Sequence, residues 1–444
     1  MTTFQEQYNA KLKTASEALD LIKDNDYIFS AQAAAEPIEI MSNLQHLKET
    51  GVKNCILTTT LPIRDYPSFH DPEMKGVLDH LTWFLSAGLR KSYQEKLVSP
   101  VPQRSNTALS KALKRCKHEG RRPVVIATVS PMDEHGYMSF SISSIYEMDL
   151  VQKGALTIVE VNPNFPRTFG DTQLHVSRAD AIVEANHPIP ISNILPYTEK
   201  DATIGKYIAD LIEDGSTIQL GIGNIPNAVA HELKTKKHLG IHTEMFTETM
   251  IDLIECGAVD NTQKGMDEGY SVCSFTMGSQ RLYDYVNNNP SVLFKSCMYT
   301  NNPYVIGKLN KFISINAALE MDLFGQAASE TANGLPWSGT GGQSETIMGS
   351  EISDGGKSFL AFHSTYTTKD ENGNKVLKSK IVPYLTKNSA VTTSRNDVDY
   401  VVTEYGVAWL SDLSIGERAK ALIKIAHPDF REELTRQAEE MHIW

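Results

Sequence analysis

Thr217-Ile218-Gln219-Leu220-Gly221-Ile222-Gly223-Asn224-Ile225-Pro226 is the stretch from which the fold can be read. Its first four residues suit a strand, the glycines open a turn, and residues 227–233 have helical spacing with Pro226 at a plausible first helical position. Strand, glycine turn and helix N-terminus in succession form a unit of a sheet covered by helices. Such a turn exposes backbone N–H groups and admits a ligand where a Cβ would block it, which suits a phosphate or a thioester oxygen. A tight connection without a ligand explains it equally well when taken alone. A dinucleotide fingerprint is disfavoured, because Pro226 stands where the third glycine is needed.

The same alternation extends in both directions. Short apolar runs rich in β-branched residues at 26–33, 54–60, 123–130 and 156–161 read as strands, with helical pattern at 36–49 and 106–117. Beyond them, 217–222, 241–246, 272–276, 312–317, 359–365 and 400–404 repeat the theme. The expected class is α/β, with two halves of related topology but no repeat in residue identity. Between the halves lie His187-Pro188-Ile189-Pro190 and Pro196, which interrupt regular structure. The expected domains are residues 1–194 and 195–444.

Composition narrows the partners. A chain of 444 residues, 41% hydrophobic and 22% charged, can bury substantial cores. Its net charge of -12 argues against nucleic acid or an anionic membrane as partner. No run approaches about 18 consecutive apolar residues, and Met-Thr-Thr-Phe-Gln-Glu-Gln has no basic start before an apolar stretch, so a cytoplasmic protein is expected. Five cysteines without Cys-x-x-Cys spacing indicate neither a disulfide framework nor a zinc site.

Glu244 is the candidate for chemistry. It lies in Gly240-Ile241-His242-Thr243-Glu244-Met245-Phe246, at the carboxyl end of an expected strand, where ligands of open α/β sheets collect. Glu248 and Glu255 read as a helix-start charge and a solvated face. Ser338-Gly339-Thr340-Gly341-Gly342-Gln343 has more glycine than a simple turn needs, so close approach to a ligand is the favoured reading. One carboxylate flanked by two backbone-donor loops suggests covalent acyl chemistry. Asn301, in the turn Asn301-Asn302-Pro303, can offer an N–H to an oxyanion. Gly355-Gly356-Lys357-Ser358 lacks the leading glycine of a P-loop, His231-Glu232 lacks a second zincin histidine, and no Gly-x-Ser-x-Gly elbow exists. His135 and His175 are read as structural.

Together these segments resemble the family I coenzyme A transferases, the acetyl-CoA hydrolase/transferase group. Val129-Ser130-Pro131-Met132-Asp133-Glu134-His135-Gly136-Tyr137 and Asn162-Pro163-Asn164-Phe165-Pro166-Arg167-Thr168 carry the resemblance in the first half. The two glycine loops, the Glu244 segment, Val401-Val402-Thr403-Glu404-Tyr405-Gly406 and Ala426-His427-Pro428-Asp429-Phe430-Arg431-Glu432 carry it in the second. The resemblance implies two related open α/β domains of the NagB/RpiA/CoA transferase-like type. It implies Glu244 as nucleophile, with Asn301 and the backbone of Gly341 or Gly342 as oxyanion donors. Coenzyme A is then a co-substrate lying along Gly221, Ile222, Gly223, Asn224 and Ile225, with Leu319 and Gly342 also implicated, and Lys357 near a phosphate.

No permanently bound cofactor is implied. The expected activity is transfer of CoA between a short-chain acyl-CoA and a carboxylate, butyryl-CoA or 4-hydroxybutyryl-CoA with acetate, in a homodimer, through a glutamyl-CoA thioester. An acyl-CoA hydrolase using the same glutamate, or an inactive CoA-binding protein, are the alternatives. Many relatives have Asp-Gly where this chain has Glu248-Thr249, and Asp-Phe where it has Glu345-Thr346. Both places are expected beside the acyl pocket.

Overall fold

The computed structural model describes residues 3–192 and 196–444. In the first half, β1 (Tyr27–Ser30), β2 (Cys55–Thr60), β3 (Leu78–Phe84), β4 (Val98–Pro100), helix α1 (Ser105–Glu119), β5 (Pro123–Val129), β6 (Leu156–Val161) and β7 (Ala181–Glu184) follow one another. The strands form one sheet, ordered β7-β6-β5-β1-β2-β3-β4, parallel throughout. Successive residues enter opposite faces. Phe29, Val125 and Ala127 pack on one side with Ala108, Leu109 and Ala112 of α1, while Ile28, Val124 and Ile126 pack on the other. A sheet buried on both faces accounts for near-continuous apolar runs.

The second half contains β8 (Thr217–Leu220), α2 (Asn224–Glu232), β9 (Gly240–Ile241), β10 (Met245–Phe246), β11 (Phe275–Thr276), α3 (Cys297–Thr300), β12 (Phe312–Ala317), α4 (Gln343–Ile352), β13 (Lys357–Ala361), β14 (Tyr400–Thr403) and β15 (Gly406–Trp409). The main sheet runs β9-β8-β12-β13-β14-β15, parallel except for the last pair. In both halves the first strand sits inside the sheet, with the next strand on one flank and later ones added on the other. That shared reversal of direction is the related topology expected of the two halves.

Three expected elements are broken. The run at 36–49 is a helix at Ile38–Ser42, a 3-10 turn at Leu44–His46 and a helix at Leu47–Thr50. The strand expected at 241–246 is two short strands in different sheets, because the chain leaves the main sheet after Ile241 and re-pairs as β10 with β11. The one expected at 272–276 divides likewise, into Ser271–Cys273 and Phe275–Thr276. The expected boundary at residues 194 and 195 lies outside the described residues. The halves are not separated in their packing, since Met245, Phe275, Tyr283 and Cys297 join the core of the first sheet. No helix among the described residues is long and apolar enough to cross a membrane.

Candidate active site

A cavity of ≈ 320 Å³ opens where the carboxyl ends of strands from both halves meet. Thr60 reaches it from the last position of β2 and Gln32 from just beyond β1, Leu220 and Gly221 at the end of β8, and Asn316 from β12. This is the position that open parallel sheets offer a ligand. Leu61, on its wall, adopts φ 51°, which a branched side chain rarely accepts.

Glu244 occupies the gap between β9 and β10, and its backbone is clamped. Its carbonyl accepts the N–H groups of Ser274 (2.9 Å) and Phe275 (3.1 Å), while Thr243 N–H bonds Val272 (2.9 Å). The change of sheet therefore fixes a sharp jog in the chain, and the Glu244 side chain lines the cavity. Asn301 Nδ2 donates to Glu244 Oε2 at 2.5 Å, and Ser105 Oγ lies 3.4 Å from the same oxygen. Burial raises the Glu244 pKa above the ordinary carboxylate value, and the bonds from Asn301 and Ser105 oppose that rise.

Asn301 follows α3 and is itself buried. Its Oδ1 accepts Thr300 Oγ1 (3.0 Å), which turns the amide nitrogen toward Glu244. The glycine loop closes the opposite side. A Cβ on Gly342 would stand 2.2 Å from Glu244 Oε2 and 2.1 Å from Asn301 Nδ2, so any side chain there collides with both. Gly341 adopts φ 55°, its carbonyl accepts Ser105 N–H (3.2 Å), and α4 begins immediately after Gly342. A helix leaves its first amides without a carbonyl partner a turn earlier, so the start of α4 beside Gly342 is a place for backbone donors.

Glu244, Asn301, Gly341, Gly342, Gly221 and Ile222 thus converge on one region, all but Asn301 on the cavity wall itself. Gly223, Asn224 and Ile225 do not line the cavity; the helix begins at Asn224, two residues before Pro226. Leu319 also lies off the wall, and its N–H is committed to the Ala328 carbonyl at 2.9 Å. Lys357 starts β13 at the opposite end of the sheet, where its Nζ donates to Leu211 O (2.8 Å) and meets Glu213 (3.3 Å). Thr346 lines the cavity, but Glu248 and Thr249 do not, and Glu248 is held instead by Ser279.

Sequence reasoning missed the first half's contribution. Ser105 bonds Glu244 across 139 positions of sequence, and no local pattern signals it. Gln32, Thr60 and Gln103 also line the cavity, where Gln32 Nε2, Thr60 Oγ1 and Gln103 Oε1 have no hydrogen-bond partner among the described residues. Trp83, Ile145 and Phe275 give the rest of that wall an apolar character.

The chain matches the acetyl-CoA hydrolase/transferase N-terminal domain over residues 1–193 and the C-terminal domain of the same name over residues 278–438. It is 39% identical to a succinyl-CoA:cyclohexane-1-carboxylate CoA transferase of Geobacter metallireducens, covering 99% of this chain and 98% of that one. Identity is also 39% to a 4-hydroxybutyrate coenzyme A transferase of Clostridium kluyveri, over 97% and 98% of the two chains. Among solved structures, RipA from Yersinia pestis superposes with a TM-score of 0.89 at 32% identity, covering all of both chains.

Proposed function

Since this chain belongs to the acetyl-CoA hydrolase/transferase family and is an acyl-CoA:carboxylate CoA-transferase, we propose that Glu244 is the nucleophile and that the cavity holds the reacting acyl group. The observation carrying this reading is the seat of the Glu244 carboxylate, hydrogen-bonded to Asn301 and touching a residue where only hydrogen fits.

The carboxylate attacks the thioester carbonyl of acyl-CoA. The C–S bond breaks, leaving an acyl-glutamyl anhydride and CoA thiolate; the thiolate attacks the glutamyl carbonyl and releases the free acid, leaving a glutamyl-CoA thioester. A second carboxylate reverses these steps, so thioester energy is kept in covalent form. Asn301 suits both attacks on the glutamyl carbon, because the oxygen it already bonds becomes the oxyanion there. The amides of Gly341 and Gly342 serve the oxyanion on the substrate carbonyl. Coenzyme A runs out past Gly221 and Ile222, the latter 59% exposed at the cavity mouth. Binding energy from that remote part can press the carbonyl against Glu244.

The acid pair is a short-chain acyl-CoA with acetate. Butyryl-CoA and 4-hydroxybutyryl-CoA both suit the apolar wall, and the unpartnered Gln32, Thr60 and Gln103 favour the hydroxylated chain, since a buried polar group gains from a partner. We also infer a division into residues 1–194 and 195–444, supported by the two sheets, and a cytoplasmic homodimer in keeping with the family resemblance.

The test is intact mass after mixing with butyryl-CoA, trapping with borohydride or hydroxylamine, and mapping of the labelled peptide. Label on Glu244 is expected. Unlabelled enzyme that still exchanges CoA sinks the nucleophile assignment, and release of CoA at the same rate with and without acetate transfers the reading to hydrolysis.

A further inference from the structure

Glu345 is a second carboxylate beside the nucleophile. It lies in the first turn of α4, three residues after Gly342, and is fully buried. Its Oε1 accepts the backbone N–H of Asn106 at 3.0 Å, the second residue of α1, so a side chain from one half caps a helix of the other. The residue before α1, Arg104, supplies no side-chain cap of its own. Oε2 has no hydrogen-bond partner among the described residues. The charged or titratable groups acting on Glu345 are Glu244 and Arg104, while the Asn301 amide lies between the two carboxylates, bonded to Glu244 and acting also on Glu345. The Cys297 thiol behind them is held neutral by burial, with Glu244 and Glu345 both disfavouring its ionisation.

Two readings compete. Capping alone favours an anion, because the α1 and α4 N-termini both attract negative charge. Against this, an ionised Glu345 has one buried oxygen with no donor beyond the Asn301 amide that Glu244 already holds, and the Glu244 anion as neighbour, and only one of two such carboxylates ionises easily. The acid form keeps the Asn106 bond through its carbonyl oxygen and places no second charge beside Glu244. We propose that Glu345 is a positioning residue held as an uncharged carboxylic acid behind Glu244, leaving the nucleophile as the sole anion of the pair.

Burial and then the Glu244 charge, opposed by the Asn106 N–H, Arg104 and Asn301, leave the Glu345 carboxyl pushed up to about 8. Below that pH the site carries one negative charge. Above it a second charge meets the incoming carboxylate and every oxyanion formed at Glu244, and the rate falls.

This inference rests on Glu244 being the nucleophile, and the two are separable by experiment. The measurement is kcat/KM for acyl-CoA with acetate from pH 6 to 9.5 in the full chain and in the variants Glu345→Gln and Glu345→Ala. The parent is expected to lose activity above a midpoint near 8, approaching tenfold per pH unit. E345Q, a permanently neutral analogue that keeps an acceptor for Asn106, is expected to fall no more than about threefold at pH 7 and to lose the alkaline limb. E345A is expected to fall at least tenfold at pH 7. A parent without the limb, or E345Q retaining it at the same midpoint, overturns the proposal, as does E345Q falling as far as E345A. If Glu244 still takes the thioester label in those proteins, only the role of Glu345 has failed.

Discussion

Single atoms decide the reactivity of Glu244. Its anion is disfavoured by burial, an effect that two hydrogen bonds offset only in part, so removing a donor acts on both the ground state and the oxyanions. Asn301→Ala is expected to lower kcat about 10²- to 10³-fold in steady-state assays with acetate, while the circular dichroism stays that of the parent. An effect below about threefold would remove Asn301 from the oxyanion site. Gly342→Ala probes the same contact sterically. The backbone there, φ −97° and ψ 1°, admits alanine, so the collision with Glu244 and Asn301 is the fault introduced. A loss of roughly 10²-fold in kcat at near-parental stability is expected; parental kcat would show that the carboxylate sits elsewhere. Glycine density made Gly341 and Gly342 legible in the sequence. Ser105 was not legible, because a serine opening a helix has many roles and its partner lies 139 positions away.

The element that matters most is the broken strand around Glu244. Its apolar pattern at 241–246 reads as one strand, since periodicity reports burial and says nothing about which sheet does the burying. His242 bridges to Val272 and is fully buried, and the change of partner is built from such tertiary pairings. Gly240, at the start of β9, is packed against the buried Lys264, whose Nζ donates to Tyr270 O at 2.6 Å. A Cβ on Gly240 would lie 2.2 Å from Lys264 Cγ. Gly240→Ala is therefore expected to destabilise the fold by about 1–3 kcal/mol, read as a lower urea midpoint at unchanged slope. An unchanged midpoint would mean that Lys264 finds another path out of the core. The helix expected at 36–49 is interrupted locally instead: Pro37 precedes its first segment, and after Ser42 the chain tightens into the 3-10 turn Leu44–His46 before the helix Leu47–Thr50.

At the scale of the whole molecule, buried titratable groups set the response to pH. Burial pushes Glu36 and Glu345 up to about 8 from 4.5, and pushes His80 and His242 down to about 3 from 6.5. The raised acids bind protons that the unfolded chain sheds above 4.5, so their contribution is lost as pH rises toward 8. The depressed histidines stay neutral where unfolded ones charge, so theirs is lost as pH falls from 6.5 toward 3. Between 4.5 and 6.5 the two slopes oppose each other. Melting temperature is expected to be nearly flat there and to fall on both sides; a maximum at pH 8 or above would contradict the buried acids. The sequence by itself determined the α/β class, the glycine loops and the candidacy of Glu244, because turn chemistry and alternating burial are local and leave local marks. Only the tertiary structure decided that β9 and β10 belong to different sheets, that Ser105 and Asn106 of one half meet Glu244 and Glu345 of the other, and that Lys357 lies at the far end of the sheet. Those facts depend on which surfaces pack together across hundreds of positions, and that information is distributed over both halves of the core.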